Sequence, residues 1–190
     1  IRARLPRTKI LLLALFPRFV SAWRERPDHL PGQIRLGLRF TSTLAIAALA
    51  GGLLWAEELT LTLFGGRYAA SVPVLRVLAA GLAVMMLNAV LTLALVAVGR
   101  ERAYATALAF AAAVNVAGNL VLTRWVGATG AAWATLASEG TLLVGCLGAL
   151  ARATTGFVPV REWVTLAAGG AVVFAALLAD ISHAVGAQRA

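Results

Sequence analysis

The sequence predicts an all-α integral membrane protein of about six transmembrane helices, and two observations carry that prediction. Apolar residues make up 61% of the 190 and charged residues 13%, with a mean hydropathy of +0.85. Soluble domains sit near 45–50% apolar and about 25% charged, and a chain of this size folded in water leaves too much surface exposed to hide the excess. The apolar residues also fall into runs rich in Ala, Leu, Val and Gly, without the strict alternation of a barrel strand. A backbone crossing lipid must satisfy its own hydrogen bonds, which leaves helices.

The first run, Ile10 to Trp23, is about fourteen residues long, meets Pro17 and Arg18, and dissolves into charge. It falls short of the roughly twenty residues a spanning helix needs, so residues 1–23 read as a truncated first transmembrane helix of a longer protein. Residues 24–39 begin RERPDHLPGQIRLG. Two prolines and a mixed polar–apolar pattern suit an interfacial loop, either a headgroup-level turn or a short surface helix. A four-helix transmembrane core follows over 40–150, with apolar centres at Phe40–Trp55, Val72–Val98, Tyr104–Leu122 and Ala131–Leu150. The second is long enough to tilt or kink, with Gly81 as its weak point. Residues 151–190 supply a connecting loop and a final helix over Val164–Ile181. The connections within the core are expected at GRER, residues 99–102, and TRWVGATG, residues 123–130.

Trp23, Trp55, Trp125 and Trp163 stand at run ends, and Trp133 lies within a turn of one, as an aromatic belt requires. Sixteen arginines and one lysine against eight acidic residues give a net charge of +9. The basic residues are scattered between apolar runs, where they set topology and reach headgroups, so no nucleic-acid partner is read from them. Alternating the runs puts Arg18, Arg24, Arg26, Arg35, Arg39, Arg100, Arg102, Arg152 and Arg161 at one side, which is then the cytoplasmic one. Arg67, Arg76, Arg124 and Arg189 fall at the other. Arg2, Arg4, Arg7 and Lys9 would join the poorer side, so either the orientation is reversed or that cluster belongs to a cavity.

Four polar residues lie inside apolar runs: Asn88, Asn115, Asn119 and Glu139. Asn115 and Asn119, spaced i, i+4, share one helix face. Their readings are interhelical hydrogen bonding or a polar pathway. Glu139 falls near mid-membrane, where a carboxylate costs several kcal/mol unless protonated, paired or wetted. It reads as a proton-coupling group or as a hydrogen-bonded lock between helices, with Ser138 and the asparagine face of the preceding helix as its partners. The single cysteine, Cys146, lies in an apolar run and can form no intrachain disulfide. The sequence holds no phosphate-binding glycine loop, no metal-spaced His or Cys set and no nucleophile triad, so neither an enzyme nor a cofactor is expected.

The order of several segments resembles the C-terminal lobe of the polysaccharide (O-antigen type) flippases of the multidrug/oligosaccharidyl-lipid/polysaccharide exporter superfamily. RLP at Arg4–Pro6 precedes LFPRF at Leu15–Phe19, and LTLFGGRYAASVPVLRVLA follows at residues 61–79. NVAGNLVL at Asn115–Leu122 leads into WVGATGAAWATLASE at Trp125–Glu139. The resemblance covers roughly residues 1–150, and no motif is matched over 164–181. It implies a MATE-like transporter of two lobes around a central cavity, of which this chain is most of one. Such a protein would flip a polyprenyl-diphosphate-linked oligosaccharide across the bacterial inner membrane by alternating access, with membrane lipids and an N-terminal lobe of the same protein as further partners. The resemblance places the LFPR-like exit motif beside the cavity, where Arg4, Arg7, Arg2 and Lys9 would hold the diphosphate. Arginine suits that task because its planar donor fork stays charged in a low-dielectric site. The alternatives are a MATE-like cation-coupled multidrug exporter, with Glu139 as coupling carboxylate, and a non-transporting membrane scaffold subunit.

Overall fold

The computed structural model of the protein describes residues 17–154. Arg2, Arg4, Arg7, Lys9, the expected start of the first helix and the expected final helix over 164–181 lie outside the described residues. Among the described residues there is no strand. Helix α1 occupies 17–25. A 3₁₀ turn, Pro27–His29, leads into α2, Leu30–Leu54. A short α3, Ala56–Phe64, and a second 3₁₀ turn, Gly66–Ser71, precede α4, Val72–Ala97. Helices α5, Glu101–Val126, and α6, Ala128–Ala153, complete the order. Four of these helices, α2, α4, α5 and α6, are long and apolar enough to cross a membrane. The last three have 26 residues each, about 39 Å at the α-helical rise, enough to cross a hydrocarbon core of about 30 Å with some tilt.

Two boundaries differ from the sequence expectation. The stretch expected as an interfacial loop over 24–39 is helical from Leu30 onward. Pro31 stands in the first turn of α2, where its missing N–H has no intrahelical partner to lose and its fixed φ suits the helix. The connection expected over 123–130 shrinks to Gly127, which sits at φ 61, a left-handed conformation open to glycine. Its N–H closes α5 on the Thr123 carbonyl at 3.0 Å, and its own carbonyl accepts the Gly130 N–H at 3.0 Å. A turn this tight folds α6 straight back along α5. Helix α4 runs unbroken through Gly81.

Helices α4, α5 and α6 therefore alternate in direction, and α2 runs antiparallel to α4, since Gly37 lies against Val90 while Gly52 lies against Ala79. Lipid tails offer helices no hydrophobic driving force to associate, so close packing of small residues has to supply it. The α5–α6 contact shows this directly. A methyl group on Gly118 would come within 2.9 Å of the Ala134 Cβ, and one on Gly145 within 2.7 Å of the Ala107 Cβ. Helix α4 is the most enclosed of the spans, with Val90, Leu91, Ala94 and Leu95 fully buried. Phe40, Ile46, Phe110, Leu120, Val121 and Val144 are exposed. Such an outward apolar surface would promote aggregation in water and is what hydrocarbon solvates. Trp55 and Trp125 are exposed at helix ends, Trp125 to 84%.

Candidate intramembrane polar site

The polar residues of the apolar runs meet between α4, α5 and α6. Asn88 comes from α4 and is 3% exposed. Its Nδ2 donates to the Glu139 carboxyl oxygen Oε2 at 2.7 Å and to the Glu139 backbone carbonyl at 3.0 Å. One amide thus holds both the side chain and the main chain of the midpoint of α6. The Asn88 carbonyl oxygen, Oδ1, is buried and has no hydrogen-bond partner among the described residues. A buried acceptor left unmatched costs on the order of 1–3 kcal/mol. Glu139 in its acid form carries an O–H that could complement it, giving amide and acid a reciprocal pair of bonds.

The second half of the site lies one step round α6. Asn115 of α5 donates through Nδ2 to the Ser138 hydroxyl at 3.3 Å, and Ser138 donates to the Thr135 carbonyl at 2.8 Å. Asn119 donates to both the Asn115 side-chain oxygen at 3.1 Å and the Asn115 carbonyl at 2.9 Å. The shared face expected of Asn115 and Asn119 is present, and it looks onto α6. Glu139, however, is paired with Asn88 of α4 and not with Ser138 or the asparagines of α5. Consecutive helical residues point about 100° apart, so Ser138 and Glu139 address different neighbours. The polar site is a chain of contacts across three helices: α4 to α6 through Asn88 and Glu139, and α6 to α5 through Ser138 and Asn115.

The arrangement ties three helices into one unit. Arg18 of the LFPRF motif is exposed on α1, away from this site. Cys146 is fully buried in α6 as a free thiol and takes no part.

A family model described as lipid II flippase MurJ matches residues 9–187. The chain belongs to that family. This lipid II flippase family is part of the multidrug/oligosaccharidyl-lipid/polysaccharide exporter superfamily, whose members of this type flip lipid-linked precursors. It is a family of transporters and not of enzymes. The match extends across 164–181, where no motif is legible by eye. No curated protein and no solved structure matches the chain.

Proposed function

We propose that the protein carrying this chain flips lipid II, a peptidoglycan precursor, across the bacterial inner membrane, and that this chain forms most of its C-terminal lobe. The family match over residues 9–187 carries the reading. It favours lipid II over the O-antigen-type oligosaccharide that the motif order alone suggested, and a lipid-linked substrate over the small cations of a drug exporter.

In this account the Asn88–Glu139 pair is the lobe's internal switch. With Glu139 protonated, amide and acid satisfy each other and α4 stays locked to α6. With Glu139 ionised, the Asn88 oxygen has no donor and the carboxylate demands water or a counter-ion, which loosens the contact. Arg4 and Arg7, with Arg2 and Lys9, line the cavity and hold the substrate diphosphate, whose anionic oxygens would otherwise have to enter a low-dielectric space unpaired. Residues 24–29 lie at the cytoplasmic surface, and the nine-arginine end of the bundle faces the cytoplasm.

The test is replacement in cells. Bacteria depleted of their own lipid II flippase should regain surface-exposed lipid II and growth when this protein is supplied. An inserted protein that restores neither would set the substrate assignment aside.

A further inference from the structure

Where α1 meets α2 the structure forms an open pocket of about 240 Å³, lined mostly by exposed side chains. Arg18, Ser21 and Glu25 line it from α1, and Arg26, His29 and Gln33 line it from the turn and from the first coils of α2. The two helices that form it are held by a fixed contact, since Phe19 is fully buried with its ring against Gly37 of α2. Directly below, Leu30, Pro31 and Ile34 are buried. The pocket therefore sits on the boundary between the polar end of the bundle and its apolar body, the depth at which lipid headgroups lie.

The side-chain chemistry around it is asymmetric. The Arg18 and Arg26 guanidinium groups make no hydrogen bond or ion pair with any described residue, and neither does the Glu25 carboxylate beside them. Ser21 spends its proton on the Arg18 carbonyl at 3.2 Å, leaving its oxygen as an acceptor. Two guanidinium forks and the His29 imidazole suit a phosphate group. Glu25 and the Ser21 oxygen suit a donor next to that phosphate, such as a hydroxyl or an ammonium, and repel a second negative charge. At about 240 Å³, below the roughly 300–1,000 Å³ usual for pockets that enclose drug-sized ligands, the pocket has room for a headgroup.

From this geometry we infer that the α1–α2 corner is a binding site for a membrane phospholipid whose phosphodiester headgroup carries a hydrogen-bond donor, with phosphatidylglycerol as the representative ligand. The site does not depend on which substrate the protein flips. Occupied, it ties α1 to the start of α2 through the bilayer itself.

Retention of phosphatidylglycerol by the purified protein, counted by native mass spectrometry during a lipid titration, tests the site. Each arginine near an anionic headgroup contributes on the order of 1 kcal/mol, about fivefold in affinity. The Arg18→Gln/Arg26→Gln variant should therefore bind at least about tenfold more weakly. An Arg100→Gln/Arg102→Gln variant, which removes the same charge from the same end of the bundle, should stay within about twofold of the unmodified protein. Glu25→Gln should raise the affinity for phosphatidic acid, whose headgroup is a phosphomonoester. Equal losses in the two arginine variants would reduce the effect to diffuse charge and overturn the site, as would no loss in the first. Displacement of the lipid by inorganic phosphate, or by a polyprenyl diphosphate as readily as by phosphatidylglycerol, would overturn the assignment to a phosphodiester headgroup.

Discussion

Asn88 and Glu139, 51 residues apart in sequence, meet between α4 and α6 with the amide nitrogen 2.7 Å from the carboxyl oxygen. The same nitrogen reaches the Glu139 carbonyl, while the amide oxygen is buried without a partner among the described residues. The pair ties α4 to α6 through a single amide nitrogen.

Glu139→Gln keeps an oxygen for Asn88 Nδ2 and adds an N–H that can turn toward Oδ1. Its thermal stability should equal the unmodified protein's within about 0.5 kcal/mol. Glu139→Leu takes the carboxyl acceptor from Asn88 Nδ2, leaving it only the backbone carbonyl of residue 139, and should cost about 1–2 kcal/mol. Unfolding of the purified protein followed by near-ultraviolet circular dichroism separates the two. In a transport assay Glu139→Gln should slow flipping despite its stability, because the switch can no longer ionise. A fully active Glu139→Gln protein would leave the pair a purely packing role.

The α5–α6 contact yields a prediction with its own rescue. Gly145→Ala places a methyl group 2.7 Å from the Ala107 Cβ, and overpacking of this kind costs about 1–3 kcal/mol. Ala107→Gly in the same chain removes the opposing methyl and should recover most of the loss. A double variant no more stable than Gly145→Ala alone would show that the close approach is not what holds these helices.

The class of the protein was legible from composition because the solvent dictates it: lipid demands apolar surfaces and helical backbones. The shared face of Asn115 and Asn119 was legible because helix period alone places it. The start of α2 was not, since Pro31 reads as a breaker anywhere but in a first turn, which is where it stands. Nor was the partner of Glu139. Ser138 and Glu139 are neighbours in sequence but point to different helices, and which helix each one meets depends on how α4, α5 and α6 cross. The pocket between α1 and α2 is not legible in the sequence for a similar reason. Arg18 and Arg26 were visible as charges, but Glu25, His29 and Gln33 join them only when the chain turns at Pro27–His29.

Topology can be read by labelling. Cys146 is the protein's single cysteine and is fully buried, so a membrane-impermeant maleimide should leave it unmodified in intact membranes. Arg24→Cys and Arg124→Cys place exposed thiols at opposite ends of the bundle. In intact cells Arg124→Cys should label and Arg24→Cys should label only after the inner membrane is opened. The reverse pattern would invert the orientation drawn from the arginine distribution.

The cavity role of the N-terminal cluster is tested by Arg4→Gln/Arg7→Gln. Each guanidinium removed from a diphosphate takes away a charge-assisted hydrogen bond, about 1.5–3 kcal/mol. The double variant should therefore lose at least about a hundredfold in transport rate while inserting at normal levels. Transport at the unmodified rate would move the diphosphate site elsewhere.

The most direct measurement is translocation by the purified protein reconstituted in vesicles, with lipid II and an O-antigen-type lipid-linked oligosaccharide supplied separately and together. The account predicts that lipid II reaches the opposite leaflet faster than in protein-free vesicles, and that the oligosaccharide lipid neither crosses nor competes. Crossing of the oligosaccharide lipid with lipid II left in place would contradict it.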